Sequence, residues 1–418
     1  MTKMGDDGID VLVLNTAAVD LRLKGEEFNW IDRLVGEGGL AKCKTEDMPP
    51  YTQSRIMEWM QQENTATAGG PGNSAPLMAR AGLRVAVGVN LGHGDYDGLD
   101  AQGRLFYDVH TANNVEVHVS VHRELPTGTT FIHVLPGNER GGIAYFPNAN
   151  NDFDFENARQ LVNRLKPKVV LYMYSGLSDR GDANGGRDLA SFVAYCKEEG
   201  SIVLVDEHTL VGNPDEVIEK KLPVEAYKLL IPLLAEGQPD IFFTSRTDAQ
   251  MIANTLDSLR DNPKLSSAID NHTYNMTFIR LLLGQSLGTD ARTRLFGMTV
   301  KDGAYYISKP HYIDLATSQR VASRFLTGEN IDLVGAGDAF RAGVITYIVH
   351  NLDAFKRGTM NFAEAIEMGN LFAALYTNAP LDDRYGNIRP YGTMLHLATN
   401  EKVYPTIADI QPDLGPKP

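Results

Sequence analysis

Short apolar runs recur along the chain at 9–15 (IDVLVLN), 84–89 (RVAVGV), 169–174 (VVLYMY), 201–206 (SIVLVD) and 240–245 (DIFFTS), each bounded by turn or charged residues. Runs of this length without polar alternation predict strands buried on both faces. Apolar residues at helical spacing fall between several of them, at 72–82, 154–166, 186–200 and 248–261. Strand and helix in alternation predict an α/β fold with a central, mostly parallel β-sheet flanked by helices on both faces. On such sheets ligands bind at the carboxyl ends of the strands.

Two regions break the rhythm. Residues 21–64 are polar and hold both tryptophans, Trp30 and Trp59. Residues 105–135 contain NNVEVHVSVHREL and then TTFIHV, which alternate apolar and polar as half-exposed antiparallel strands do. Together they predict a small β-sheet lid (21–64 and 105–135) on a body made of 1–20, 65–104 and 136–380. The segment 381–418 reads as an irregular extension rich in Pro, Asp, Asn and Tyr. Exposed lid edges would invite pairing with a second copy, so a homodimer through the lid is expected.

Composition narrows the chemistry. Hydrophobic residues at 43% and charged residues at 22% exclude disordered and fibrous classes. A net charge of −14 disfavours broad contact with nucleic acid or anionic membrane, so an anionic ligand needs a local site. The two cysteines, Cys43 and Cys196, are too few for a disulfide framework or a thiolate zinc site, and acidic residues near the start replace a signal peptide's basic region, which together predict a cytoplasmic protein. No Gly-Lys pair exists, which excludes a P-loop; GHGDYDG lacks Rossmann spacing, and His118 and His122 read as ordinary strand residues.

The strongest chemical signal is DLVGAGDAF, where glycines lead into an apolar helix. Amide groups of Gly335, Ala336 and Gly337 in that first turn predict an anion hole, beside which Asp338 can take a proton from a hydroxyl. A capping acid on a tight turn fits the same residues. Asp20, after the first strand, could accept two substrate hydroxyls or sit as a solvated loop acid. Gly69, Gly70 and Asn73 could approach a ligand or simply start the next helix, and Arg140 could read an anionic group or lie in a solvated turn.

DLVGAGD (332–338) resembles the DTxGAGD signature of the PfkB/ribokinase-like carbohydrate and nucleoside kinases. In the expected order, TAGGPGNSAPLMARAG (67–82) is similar to the family's N-terminal signature, VAVGVNLGHGDYDG (85–98) to its glycine-rich strand and turn, and AIEMGNLFAALYTNAP (365–380) to its closing helix. The resemblance implies a ribokinase-like fold and transfer of the ATP γ-phosphoryl group to a hydroxymethyl group of a sugar, with Asp338 as base and 335–337 as anion hole. A nucleoside acceptor is the alternative, as is a catalytically weak sugar-binding or nucleoside-binding protein. The acceptor would meet Asp20, Gly69, Gly70, Asn73 and Arg140.

On the nucleotide side the pattern departs. Where the family has NxxE, this chain has Ser245 and Asp248; where it has TxGxxG, Met298 and Val300 replace Thr and Gly. The resemblance still places Ser245, Lys301, Gly303 and Asn370 at the nucleotide, Asp248 near magnesium, and Asp332 near a monovalent cation. ATP and magnesium are therefore the expected cofactors, with potassium a further candidate. Trp30, Trp59 and Tyr51 could stack on a base or pack the lid.

Overall fold

The computed structural model describes residues 8–36, 38–136, 140–207, 211–286, 292–309, 317–326 and 330–416. Its strands are β1 (Val11–Leu14), β2 (Ala18–Lys24), β3 (Leu40–Lys42), β4 (Ala66–Gly69), β5 (Val85–Gly92), β6 (Glu116–His122), β7 (Gly128–Val134), β8 (Arg140–Phe146), β9 (Val169–Ser175), β10 (Ile202–Glu207), β11 (Ile241–Ser245), β12 (Arg294–Val300), β13 (Gly303–Lys309) and β14 (Thr317–Ala322). Nine form one sheet in the order β14-β13-β12-β11-β10-β9-β1-β5-β6. The pairs from β6 through β12 run parallel, and β13 and β14 return antiparallel.

The uninterrupted apolar runs are explained by burial on both faces. Val11 and Val13 belong to one core cluster, Leu12 and Leu14 to another on the opposite face. The same division separates Val169, Leu171 and Met173 from Val170 and Tyr172. One face is covered by helices that include Ala336–His350 and Phe362–Thr377, the other by Phe155–Leu165, Arg187–Glu198 and Arg246–Thr255.

The five remaining strands form a second sheet in the order β3-β8-β7-β2-β4. It has its own core, in which Trp30 and Trp59 meet Phe131 edge-on at 5.5 and 6.1 Å between ring centroids. Both tryptophans therefore pack the lid, while Tyr51 is exposed at its surface.

The structure corrects two expectations. The 116–122 segment pairs in parallel with β5 at the edge of the large sheet, preceded by helix Ala101–Ala112, so most of 105–125 belongs to the body. Its alternation has another cause: Val117 and Val119 pack inward while Ser120 on the opposite face is exposed, as at any sheet edge with one covered face. The segment after Pro380 is also ordered. Its helices Tyr391–Thr399 and Ile407–Leu414 bury Met394, Leu397, Ile410 and Leu414 against the body. Among the described residues no helix is long and apolar enough to cross a membrane.

Trp59 is 1% exposed and surrounded by the lid core. Trp59→Ala is expected to cost about 3–5 kcal/mol, read as a lower urea midpoint in equilibrium unfolding.

Candidate active site

Gly335 initiates helix Ala336–His350 with φ +84°, a left-handed conformation that favours glycine. Space demands glycine as well: a Cβ there would lie 2.8 Å from Asn73 Cγ and 2.9 Å from the Tyr376 hydroxyl. Asp338 follows in the first helical turn and is 7% exposed. Asn73 Nδ2 donates to Asp338 Oδ2 at 3.1 Å, and the Tyr376 hydroxyl donates to Asn73 Oδ1 at 2.6 Å. Tyr174 hydrogen-bonds to the same carboxylate. The carboxylate is thus aimed by three residues from three different elements.

Three adjoining clefts meet at this turn. The first is a small cavity of about 60 Å³ lined by Asp20, Gly70, Asn73, Thr130, Tyr145, Tyr174, Gly335 and Asp338. Gly69 lies directly under the Asp20 carboxylate, where any Cβ would collide with it. The second, of about 490 Å³, contains Arg140, Asp206, Glu207, Ser245, Asp248, Arg341 and the 335–338 turn. The third, of about 300 Å³, contains Lys301, Gly303, Asn370 and again Ala336 and Gly337. Residues scattered from 20 to 370 are thus gathered around one helix start.

Individual placements refine this picture. The Ala336 amide donates to the Leu333 carbonyl at 3.2 Å, so of the three expected anion-hole amides this one closes the turn. Arg140 Nη2 donates to the Gly38 carbonyl at 2.8 Å and lines the second cleft. Ser245 caps helix Arg246–Thr255 through the Asp248 amide, and Asp248 Oδ1 accepts from the Tyr227 hydroxyl at 2.8 Å. Asn370 Nδ2 donates to Glu367 at 2.7 Å.

Sequence reasoning passed over Asp206, Glu207 and Arg341. Arg341 Nη2 lies 2.6 Å from Asp206 Oδ1, and Thr244 donates to Glu207 Oε1 at 2.6 Å. Burial pushes both carboxyls well above the usual range, with Arg341 pulling against it at Asp206 and Asp248 adding to it at Glu207. Both acids end β10, at the carboxyl edge where ligands of such sheets bind, so their position in SIVLVDE was the available signal.

No family model matches the chain, and no curated protein matches it. Solved structures do. An adenosine kinase from Sinorhizobium meliloti and a probable sugar kinase from Rhizobium etli CFN 42 each superpose with a TM-score of 0.60 at 17% identity, covering 94% of this chain and 99% of theirs. Anopheles gambiae adenosine kinase, in complex with P1,P4-di(adenosine-5) tetraphosphate, superposes with a TM-score of 0.59 at 19% identity, covering 88% of this chain and 98% of its own. The fold is ribokinase-like.

Within the ribokinase-like fold, the residues present can be tested against the expected ions. Among the described residues no three His, Cys, Asp or Glu side chains converge to cage a metal. Magnesium needs fewer, since it is held by one or two carboxylates, substrate phosphates and water. Glu207 Oε2 is buried without a hydrogen-bond partner among the described residues and shares the second cleft with Asp206 and Asp248, so the set fits magnesium. Potassium beside Asp332 does not fit. That carboxylate already faces Arg22 at 2.7 Å and Arg384 at 2.9 Å, which would repel a cation there.

Burial pushes the Asp338 carboxyl up to about 6, against the pull of Arg341 and the hydrogen bonds from Tyr174 and Asn73. An acid of raised pKa stabilises the fold fully below its unfolded value of 3.8, and that contribution is lost as pH rises through about 6. The base role expected of Asp338 requires its ionised form. The pH profile of kcat/KM is therefore expected to fall below about 6 by about tenfold per unit. Asp338→Asn should remove a destabilising charge at pH 7.5, giving an equal or higher Tm by calorimetry.

Proposed function

We propose that this protein is a PfkB/ribokinase-like kinase that moves the γ-phosphoryl group of ATP onto a hydroxymethyl group of a sugar. The observation that carries the proposal is the meeting of three clefts at a glycine turn whose first helical residues include a buried, oriented carboxylate. An acceptor cavity and a polar middle cleft that share Gly335 and Asp338, and a third cleft that shares Ala336 and Gly337 with the middle one and reaches Asn370, match acceptor, phosphates and nucleotide in that order. Phosphoryl transfer requires positioning and charge stabilisation more than covalent help from the protein, and this arrangement offers both.

In the proposed reaction Asp20 and Asn73 hold the acceptor ring and Asp338 accepts the proton of its hydroxymethyl group. The acceptor oxygen bonds to the γ-phosphorus while the bond to the β,γ-bridging oxygen breaks and ADP leaves. Tyr174 and Asn73 keep the Asp338 carboxylate turned toward the acceptor. Gly335 and Gly337 amides and the Arg341 guanidinium face the transferring group from the second cleft. Magnesium, held through Glu207 and Asp248, would neutralise phosphate charge. The lid sheet closes the acceptor cavity with Leu40, Thr130, Ile143 and Tyr145 and so keeps out water, a competing acceptor.

Two observations favour a nucleoside as second reading. Leu40, Ile143 and Leu177 give the acceptor cavity an apolar side suited to a base, and several of the similar structures are adenosine kinases.

ADP release from ATP and magnesium, measured with ribose, fructose, 2-keto-3-deoxygluconate, adenosine and inosine, tests the proposal. Turnover with one acceptor is expected, falling about 10²–10⁴-fold in Asp338→Asn. Silence with every acceptor, alongside thermal stabilisation by an acceptor but none by ATP, would replace it with a binding protein of the same fold. Glu207→Gln is expected to raise the magnesium concentration for half-maximal rate about 10–100-fold, and an unchanged requirement would remove Glu207 from the metal set.

A further inference from the structure

Two guanidiniums converge on one carboxylate beside the catalytic turn. Arg22 Nε donates to Asp332 Oδ2 at 2.7 Å, and Arg384 Nη2 lies 2.9 Å from the same oxygen. The side chains of Arg22 and Arg384 are only 5% and 1% exposed, so these charges are committed to the interior. The three residues come from three parts of the chain: lid strand β2, the glycine turn, and the segment that follows helix Phe362–Thr377.

Arg384 grips the turn twice. Its Nη2 also donates to the Val334 carbonyl at 2.7 Å, while the Val334 amide donates to Asp332 Oδ1 at 3.0 Å. Its guanidinium lies 4.0 Å from the ring centroid of Tyr376, the residue whose hydroxyl fixes Asn73 and through it Asp338. Arg22 is anchored by Thr67 at 2.8 Å and stands two residues beyond Asp20 on β2, so both side chains leave the same face of the lid sheet.

We propose that Arg22 and Arg384 are positioning residues for the anion hole: fixed internal cations that hold residues 332–337 in shape and leave the turn with no need of a free monovalent ion. Because β2 carries both Asp20 and Arg22, the acceptor contact and the clamp on the turn form one unit. The placement of the hole rests on the kinase reading; the clamp on the turn does not.

The test compares wild type, Arg22→Gln, Arg384→Gln and Arg384→Lys in potassium chloride and in tetramethylammonium chloride at equal ionic strength. Amide hydrogen exchange of peptides spanning 331–337, the Kd of ADP by calorimetry, and kcat and acceptor KM are read for each. Wild type is expected to show exchange and ADP affinity equal within about twofold in the two salts. Both glutamine variants should exchange faster across 331–337 and lose about 100-fold in kcat with little change in acceptor KM, and Arg384→Lys should recover part of that loss. Slower exchange and at least about tenfold tighter ADP binding by wild type in potassium would overturn the proposal, as would unchanged exchange in both glutamine variants. The wild-type salt comparison decides the matter even if a variant fails to fold. A chain that never turns over but whose turn loosens in the variants would refute the kinase reading and leave the clamp standing.

Discussion

A carboxylate that must be buried and still ionise sets the constraint on which the rest of this site depends. In the proposed reaction Asp338 takes a proton from an alcohol, yet burial alone would hold it neutral. The compensation is spread widely. The helix start favours its charge, Asn73 and Tyr174 donate to it, and Arg341 lies one helical turn along. Two of these groups are themselves held: Asn73 by Tyr376, which lies under Arg384, and Arg341 against Asp206.

That chain of support explains where the polar residues lie. The large sheet is apolar on both faces through its interior, and only at the carboxyl ends of β10 and β11 do Asp206, Glu207 and Ser245 enter the cleft. Buried polar groups are tolerable there because they answer one another or face a ligand. The second cleft combines an excess of carboxylates with Arg140 and Arg341 at its walls. In the proposed reaction a divalent cation among those carboxyls would offset the charge of the nucleotide phosphates.

The lid answers a different demand. One face of the five strands has a core of Val19, Leu21, Trp30, Trp59, Phe131 and Phe146, while the other packs Ala18, Ile132, Ile143 and Tyr145 against the body and turns Asp20, Thr130 and Tyr145 toward the small cavity. The aromatic mass of the insertion is structural. In the proposed reaction, substrate contact falls to the polar side chains opposite it.

How much of this was legible depends on the range of the interactions. Local sequence sufficed for the buried strands, the helices between them, the glycine turn and the acid that follows it, because each is fixed by neighbours within a few residues: period, capping and the left-handed φ at Gly335. Segment 116–122 was misplaced because a solvent-facing edge strand and a lid strand share one alternation, and only pairing with β5 separates them. The segment after 380 looked irregular because its order comes from packing on distant helices and from Arg384 reaching Asp332 across 52 positions (384 − 332). Likewise Arg22, Asp206, Tyr174 and Arg341 carry no motif of their own. The sequence by itself determined the fold class and the glycine turn that opens the long apolar helix; the tertiary structure alone decided which charges surround that turn, because buried ions find partners through space, and the chain does not record that distance.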